Sequence, residues 1–314
     1  MNKTSIILPC YNGARWISRS IESVLAQTFP HLELIIVDDG STDNSKEVIA
    51  QYLYDERVRC IYQANRGFSR ALNSGIKESS GYFIGFIGQD DLWMLNKLEW
   101  QVKYFSEHNN VDLVHSNYYS VDSEERIIRL VKTKVHDFSS KQEVIEWLFL
   151  TTNLAFETVL VKKKCFDEVG LFDERMVGYS DHDMWLRVAG RFNIEYLDRP
   201  LVKKRQHALQ LSRVRRESVL KDEFLLAEKM ITHYPFLKKC ELKKLAPLYY
   251  EWGIELLQKG NTKGARQKLL KAIVCQPWKL KATIAYMAPA LYSFVLSHYQ
   301  EFAQAHTSLS WIEG

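Results

Sequence analysis

The chain reads as an α/β protein, with a mostly parallel sheet in its first two-thirds and an all-helical region after it. Three observations predict this. Short apolar runs alternate with segments of helical spacing over the first hundred residues. Those runs are continuously apolar, as parallel strands covered on both faces must be. Beyond Arg205 the strand-like runs stop and helical spacing continues.

The first run, SIIL at 5–8, is closed by Pro9, and ARWISRSIESVLAQ at 14–27 sets Ile17, Ile21, Val24 and Leu25 at helical spacing. LELIIV at 32–37 is a second buried strand, ending in Asp38, Asp39 and Gly40. NSKEVIAQYL at 44–53 predicts a helix with Asp43 as its N-cap. VRCIY at 58–62 predicts a strand, GFSRALNSGIKES at 67–79 a helix and YFIGFI at 82–87 a fourth strand. In open parallel sheets ligands bind outside the carboxyl ends of the strands. Polar residues collect there: Asn12 after the first, Asp38 and Asp39 after the second, Asn65 after the third, Asp90 and Asp91 after the fourth.

The middle is less regular. VDLVHSNYYSVD (111–122) predicts one or two strands, EVIEWLFL (143–150) a helix and FETVLVKK (156–163) a strand. YSDHDMWLRVAG (179–190) reads as an acid-rich turn opening a helix, with Met184, Trp185 and Val188 inward; FNIEYLDRP (192–200) reads as a strand. These elements divide the chain into a domain over 1–215 and a helical region over 216–314. Within the latter, Gly253, Leu256, Ala265, Leu269, Ala272 and Pro277 fit a single tetratricopeptide-like helix pair at 249–277.

Composition is that of an ordinary globular protein, 46% hydrophobic and 25% charged. A net charge of +4 implies no nucleic-acid partner. The charge is uneven: Leu201 to Lys244 holds 12 Lys/Arg against 5 Asp/Glu. Such a stretch can meet anionic lipid, phosphate or nucleic acid, and a solvated helical face explains it equally well. The five scattered cysteines form no CxxC pair, which argues against a zinc or redox site and fits a reducing compartment. The N-terminus has no signal-peptide layout, and TIAYMAPALYSFVLS (283–297) is shorter than the roughly 20 residues of a spanning helix. The expectation is a cytoplasmic protein, with peripheral contact at the inner face of the membrane left open.

No GxxxxGK[ST] or GxGxxG motif is present, which argues against a P-loop NTPase and a dinucleotide dehydrogenase; HExxH and GxSxG are also missing. Carboxylates dominate instead. GYFIGFIGQDDLW (81–93) ends a buried strand in two adjacent acids. Their repulsion is offset where a cation sits between them and a ligand. A hard cation, Mg²⁺ or Mn²⁺, bridging carboxylate and phosphate oxygens is a usual way to hold a diphosphate. Asp90 is the expected metal-facing acid. Asp91 precedes the helical run MLNKLEWQVKYF and is expected mainly as its N-cap, with a place beside the ligand as the alternative.

The stretch SIILPCYNGARWISRSIESVLAQTFPHLELIIVDDGSTDNS resembles the opening of family 2 glycosyltransferases, through Pro9, Tyr11, Asn12, Gln27, Val37 to Ser41 and Asp43. NRGFSRALNSGI is similar to the family's N-x-G-x-x-x-A-x-N-x-G segment, FIGQDDLW stands where the family carries D-x-D, and GYSDHDMWLRVA resembles its E-D-x-D-x-W-x-R segment. KKRQHALQLSR is similar to a later segment with a histidine and a serine, so the likeness covers about residues 4–215 in order.

The resemblance implies the GT-A fold and inverting transfer of one sugar from a UDP-, GDP- or dTDP-sugar to a glycan or lipid-linked acceptor, in surface polysaccharide synthesis. It implies that Asp38 and Asp39 contact base and ribose, with Pro9 and Tyr11 as the wall of the base pocket. Asn12, Asn65 and Gln89 would complete the donor crevice, and Arg66 and Arg70 would reach the nucleotide or its phosphates. Asp90 would be the metal ligand, His207 would approach the metal or diphosphate, and Asp181 would be the general base. Two departures stand out: Gly88 replaces the first acid of D-x-D, and Ser180 replaces the glutamate before the base. Asp183 is either a compensating acid or a helix-start residue. A Q-x-x-R-W signature is absent, which favours single transfer over polymerisation.

The remaining expectations are local. Trp93, Trp100 and Trp185 belong in the core more readily than at a sugar site. His182, between two acids, is expected to be exposed, and Glu157 and Tyr179 are candidates to reach the acceptor. RVRR (213–216) either clasps phosphate or starts a solvated helix, and WKLKATIAYMAPALYSFV (278–295) suits a bilayer interface, a packing layer or self-association. Two other functions compete: a sugar nucleotidyltransferase, and an inactive nucleotide-binding scaffold.

Overall fold

A computed structural model describes residues 2–133, 138–151, 154–210, 215–276 and 286. The chain divides into two compact units, 1–222 and 223–314, and the division falls inside a helix, α8 (Arg216–His233).

The first unit is built on one sheet. Its strands are β1 (Thr4–Cys10), β2 (Leu32–Asp38), β3 (Val58–Tyr62), β4 (Phe83–Phe86), β5 (Leu92–Trp93), β6 (Leu113–Val121), β7 (Ile127–Val131), β8 (Leu160–Lys162) and β9 (Ile194–Arg205). Among the described residues their order is β3-β2-β1-β4-β8-β6-β9-β5, with β7 paired to β6. The helices are α1 (Ile17–Leu25), α2 (Ser45–Ala50), α3 (Phe68–Glu78), α4 (Lys97–Glu107), α5 (Lys141–Leu150), α6 (Lys164–Val169) and α7 (Ser180–Arg191).

Strands β3, β2, β1 and β4 run parallel, in a register that sets Cys10 beside Asp38 and Asp38 beside Tyr62. Their carboxyl ends therefore reach one edge together. The uninterrupted apolar runs follow from burial on both faces. Ile6, Leu8, Leu34 and Ile36 join Ile17, Ile21 and Val24 of α1 in one cluster. The alternate residues Ile35 and Val37 pack with Ala71 of α3 in another. Each such side chain contributes roughly 1.5–3 kcal/mol by leaving water.

Past β4 the sheet becomes mixed. β8 runs antiparallel to β4 and to β6, β9 runs parallel to β6, and β5 runs antiparallel to β9. The strand–helix rhythm of the first hundred residues stops here, and without crossover helices the strands need not run the same way. Two short strands escaped the sequence reading. β5 lies between Asp91 and α4, so Asp91 does not cap that helix; α4 starts at Lys97, after Asn96. β7 is the other, and most of it is solvent-exposed. FETVLVKK divides into a 3₁₀ turn at Phe156–Thr158 and strand β8. Strand β9 runs on through Pro200 to Arg205, which carries residues 203–207 to the edge where β4 ends.

In the second unit, α9 (Glu241–Gln258) and α10 (Thr262–Cys275) form a helix pair joined by a short turn. The Asn261 side chain accepts a hydrogen bond from Gly264 N and caps α10. Leu257, Ala265 and Leu269 form the core of the pair. Gly253 is required by the packing: a Cβ there would lie 2.6 Å from Leu269 Cγ. Among the described residues no helix is long and apolar enough to cross a membrane. Pro277, nearly all of 278–295, and the first two residues of RVRR lie outside the described residues.

Candidate functional site

The strand-end crevice has two walls. The first is made by the loops after β1, β2 and β3. Asn12 adopts a left-handed φ of 51°, and its Oδ1 accepts from Thr42 N (2.8 Å) and Thr42 Oγ1 (3.2 Å). Asp38 is buried; its Oδ1 accepts from Ser41 N at 2.9 Å, while its Oδ2 has no partner among the described residues. Asp39 is buried and engaged in the loop after β3: Oδ1 accepts from Gln63 Nε2 (2.7 Å) and Arg66 N (2.9 Å), and Oδ2 from Gly67 N (2.8 Å). It thereby ties down the entry to α3. Gln89 clasps the backbone of Tyr11, accepting from its N (2.8 Å) and donating to its O (3.2 Å). That clasp leaves the Tyr11 ring exposed, while Pro9 is buried inside β1. Asn65 and Arg66 are exposed beside this wall, and Arg70 pairs with Glu174 at 2.7 Å.

The second wall joins residues far apart in the chain. Asp90 Oδ2 lies 2.7 Å from His207 Nε2, and both side chains keep some access to solvent. The Trp16 ring lies 5.7 Å from the His207 ring and under the guanidinium of Arg205 at 4.4 Å. Arg205 is buried. Its Nε donates to Asp90 O (2.9 Å), its Nη1 to Ser123 O (2.7 Å), and its backbone N to Asp91 Oδ1 (2.8 Å). Asp91 is therefore a buried brace. Burial above all, then the Glu157 and Asp90 carboxylates, pushes its acid well above the usual carboxylate range.

Glu157, from the 3₁₀ turn, grips Lys204 of β9 with both oxygens at 3.0 Å. Burial works against the Lys204 charge, but the Glu157 and Asp91 carboxylates outweigh it and hold the amine protonated. Asp181, in the first turn of α7, stays partly accessible. Burial pushes its carboxyl up to about 6; Lys204 and the hydrogen bond from His182 N oppose that rise, and Glu157 adds to it.

Several neighbours of Asp181 are structural. His182 is buried, not exposed: its Nε2 lies 2.7 Å from Leu148 O and its ring stacks on Tyr179. Asp183 is fully buried and bonds Arg187 at 2.9 Å, so it starts and braces the helix and does not replace the missing glutamate. Ser180 is buried against Ser69 of α3 at 2.8 Å. Gly88 is hemmed in: a Cβ there would lie 2.9 Å from Asp90 Oδ1 and 2.8 Å from Asp91 Oδ2. Trp93 and Trp185 are buried in the core, and Trp100 stacks under Arg199 at 3.6 Å.

Asp90 and His207 offer a divalent cation one carboxylate and one imidazole, and no third acidic, histidine or cysteine side chain joins them among the described residues. Mg²⁺-type sites use one or two protein ligands and take the rest from phosphates and water. The pair fits such a shared site.

Glycosyl transferase family 2 matches residues 5–170. An uncharacterized glycosyltransferase of Rickettsia conorii is 32% identical over 210 residues, 67% of this chain and 35% of that protein. One of Rickettsia prowazekii is 31% identical over 207 residues, 66% of this chain and 64% of its own length. The chain thus spans less than two-thirds of either relative. Residues 1–349 of S. aureus TarS, solved with UDP-GlcNAc, superpose with a TM-score of 0.61 at 16% identity, covering 99% of this chain and 93% of that fragment. The mannosyltransferase PcManGT from Pyrobaculum calidifontis, in complex with GDP-Man and Mn²⁺, gives 0.59 at 16% identity, covering 96% and 81%. The fold is GT-A with a helical C-terminal region. With its strand-end acids and its D-x-D-like turn, the chain belongs to glycosyl transferase family 2.

Proposed function

We propose that the chain transfers a single sugar from a nucleoside-diphosphate donor to an acceptor hydroxyl, with inversion, and that Asp181 is the general base. One observation carries this reading. Asp181 is a partly accessible carboxylate, raised to about 6, and set on a different element from the Asp90–His207 pair. A base titrating near the working pH is effective, and two separate acidic stations suit a reaction with an entering hydroxyl and a departing diphosphate.

The donor nucleoside lies along the Tyr11–Asn12–Asp38 wall, where the unpartnered Asp38 Oδ2 accepts from a base N–H or ribose hydroxyl. Asp39, Gln89 and Asn12 keep that wall in shape through the backbone. Asn65 and the exposed Arg66 line the phosphate approach, with Arg70 behind them on Glu174. Asp181 accepts the acceptor's proton, the freed oxygen bonds to the anomeric carbon, and the bond to the diphosphate breaks on the opposite face with its electron pair. One displacement inverts the configuration, through an oxocarbenium-like transition state. A divalent cation, Mg²⁺ or Mn²⁺ held by Asp90 and His207, supplies charge neutralisation to the diphosphate when bound. The neighbours solved with UDP-GlcNAc and with GDP-Man and Mn²⁺ support a donor of this class. The acceptor is a glycan or lipid-linked saccharide in surface polysaccharide assembly, met at the inner face of the membrane.

The test pairs stereochemistry with a substitution. Proton NMR of the first product should show the anomeric configuration opposite to the donor's. Asp181→Asn should lose about 10²–10⁴-fold in turnover. Retention, or near-normal transfer by the variant, contradicts the proposal.

A further inference from the structure

Arg205 is the last residue of β9, paired with Val121 at the end of β6, and its side chain is buried. A guanidinium keeps its charge in such a place only where acceptors and an acid meet it. The turn between β6 and β7 supplies them. The Asp122 carboxylate accepts from Glu124 N (2.9 Å) and Arg126 N (3.0 Å), which folds the turn back on itself. Glu125 takes a left-handed φ of 67°, uncommon for a residue with a side chain. So shaped, the turn presents Ser123 O (2.7 Å) and Asp122 O (3.4 Å) to Nη1, and Glu125 Oε1 (3.3 Å) to Nη2.

The remaining edge of the fork meets the cation pair. Nε donates to Asp90 O at 2.9 Å, and the backbone N of Arg205 donates to Asp91 Oδ1 at 2.8 Å. The guanidinium also lies over the Trp16 ring, whose other neighbour is the His207 ring at 5.7 Å. Arg205 therefore bonds both residues of the acidic turn after β4, and it stands just before His207 in the chain.

We infer that Arg205 is a positioning residue: it ties the turn that carries Asp90 to the strand end that leads into His207, and so fixes the pair at its 2.7 Å separation. This rests on the reading of Asp90 and His207 as holders of the divalent cation. The guanidinium is engaged with protein groups, so it acts through Asp90 and not on the diphosphate. A lysine keeps the charge but lacks the planar fork, and cannot serve Asp90 O, Ser123 O and Glu125 together. Partners that orient a metal ligand are worth about 10–100-fold in metal affinity.

The experiment is calorimetry on the full chain with UDP, or with whichever of GDP and dTDP thermal shift selects, once with Mn²⁺ and once with EDTA. The ratio of the two affinities isolates the cation-dependent part. Arg205→Lys should lower that ratio by about 10–100-fold and leave the affinity in EDTA unchanged, because the nucleotide wall is built from other loops. Glu125→Gly suits the left-handed backbone and removes the acid that meets the guanidinium; it should lower the ratio in the same direction by less. A role confined to holding the fold together would change both affinities alike, or neither. An unchanged ratio in Arg205→Lys, or equal losses with Mn²⁺ and with EDTA, overturns the inference. If Arg205→Lys does not fold, Glu125→Gly decides by the same criterion. Asp90→Ala separates the two claims. If it keeps the wild-type ratio, or if the wild type is indifferent to Mn²⁺, the pair is not the cation's site and the inference goes with it. A ratio lost in Asp90→Ala but kept in Arg205→Lys removes the inference alone.

Discussion

The two walls of the crevice are built differently. On the nucleotide side, Asn12 holds Thr42, Asp38 holds Ser41 and Asp39 holds the loop at Arg66 and Gly67, so nearly every bond links neighbouring strand ends. On the reaction side, Asp90 meets His207 across 117 positions, and Glu157 meets Lys204 across 47. The first wall is mostly backbone held by side chains, and its polar groups are largely satisfied. The second is a set of charges held against one another, and the proposed mechanism assigns the chemistry to it. The expectation is that damage to the first wall weakens donor binding, while damage to the second weakens metal-dependent binding at Asp90 and turnover at Asp181.

The largest contrast is expected at Asp181, where loss of the base removes turnover by orders of magnitude as described above. A second effect concerns the turn that joins the walls. Gly88→Asp restores the family's usual acid, yet its Cβ falls within 3 Å of two carboxylate oxygens. Overpacking and added like charge should cost about 1–3 kcal/mol of stability. Thermal melts should show the loss, and a variant as stable as wild type with tighter metal binding would break the packing argument.

The third prediction turns on a sign. Asp181 has a folded-state value near 6, above its ordinary 3.8. A raised acid stabilises the fold in its protonated form, fully below about pH 4, and that contribution is lost as pH rises through 6. Asp181→Asn, always neutral, should therefore be more stable than wild type at pH 7.5, by about 1–3 kcal/mol, and equal to it below pH 4. Denaturant melts at the two pH values check this; a gain that persists at pH 3.5 contradicts it. The smallest effect belongs to the nucleotide wall. Gln89→Ala loses two hydrogen bonds to Tyr11, at about 0.5–1.5 kcal/mol each. It should raise KM several-fold and leave kcat nearly unchanged.

Much of the first wall was legible in the sequence, because the residue after each parallel strand lands at one edge whatever the side chains do. Continuous apolar runs identified the strands, and polar residues beyond them marked the crevice. The reading erred where tertiary contacts overrode local pattern. Asp91 looks like a cap before MLNKLEWQVKYF, but the two-residue strand β5 displaces the helix start to Lys97. His182 between two acids looks exposed, yet the first turn of α7 packs it against Leu148. The partner of Glu157 was not legible, because Lys204 lies on a strand that continues past Pro200. A signal was available: three consecutive basic residues, Lys203 to Arg205, in a strand-like stretch demand acidic partners. Which acids those are depends on the fold.

The separation of roles between the Asp90–His207 pair and Asp181 is tested most directly by calorimetry on two variants side by side, with UDP and Mn²⁺, or with GDP or dTDP where thermal shift selects it. Asp181→Asn should bind the nucleoside diphosphate as wild type does, and Asp90→Ala should lose the Mn²⁺-dependent part of the affinity. Equal losses in both variants, or unchanged metal-dependent binding in Asp90→Ala, would contradict the account.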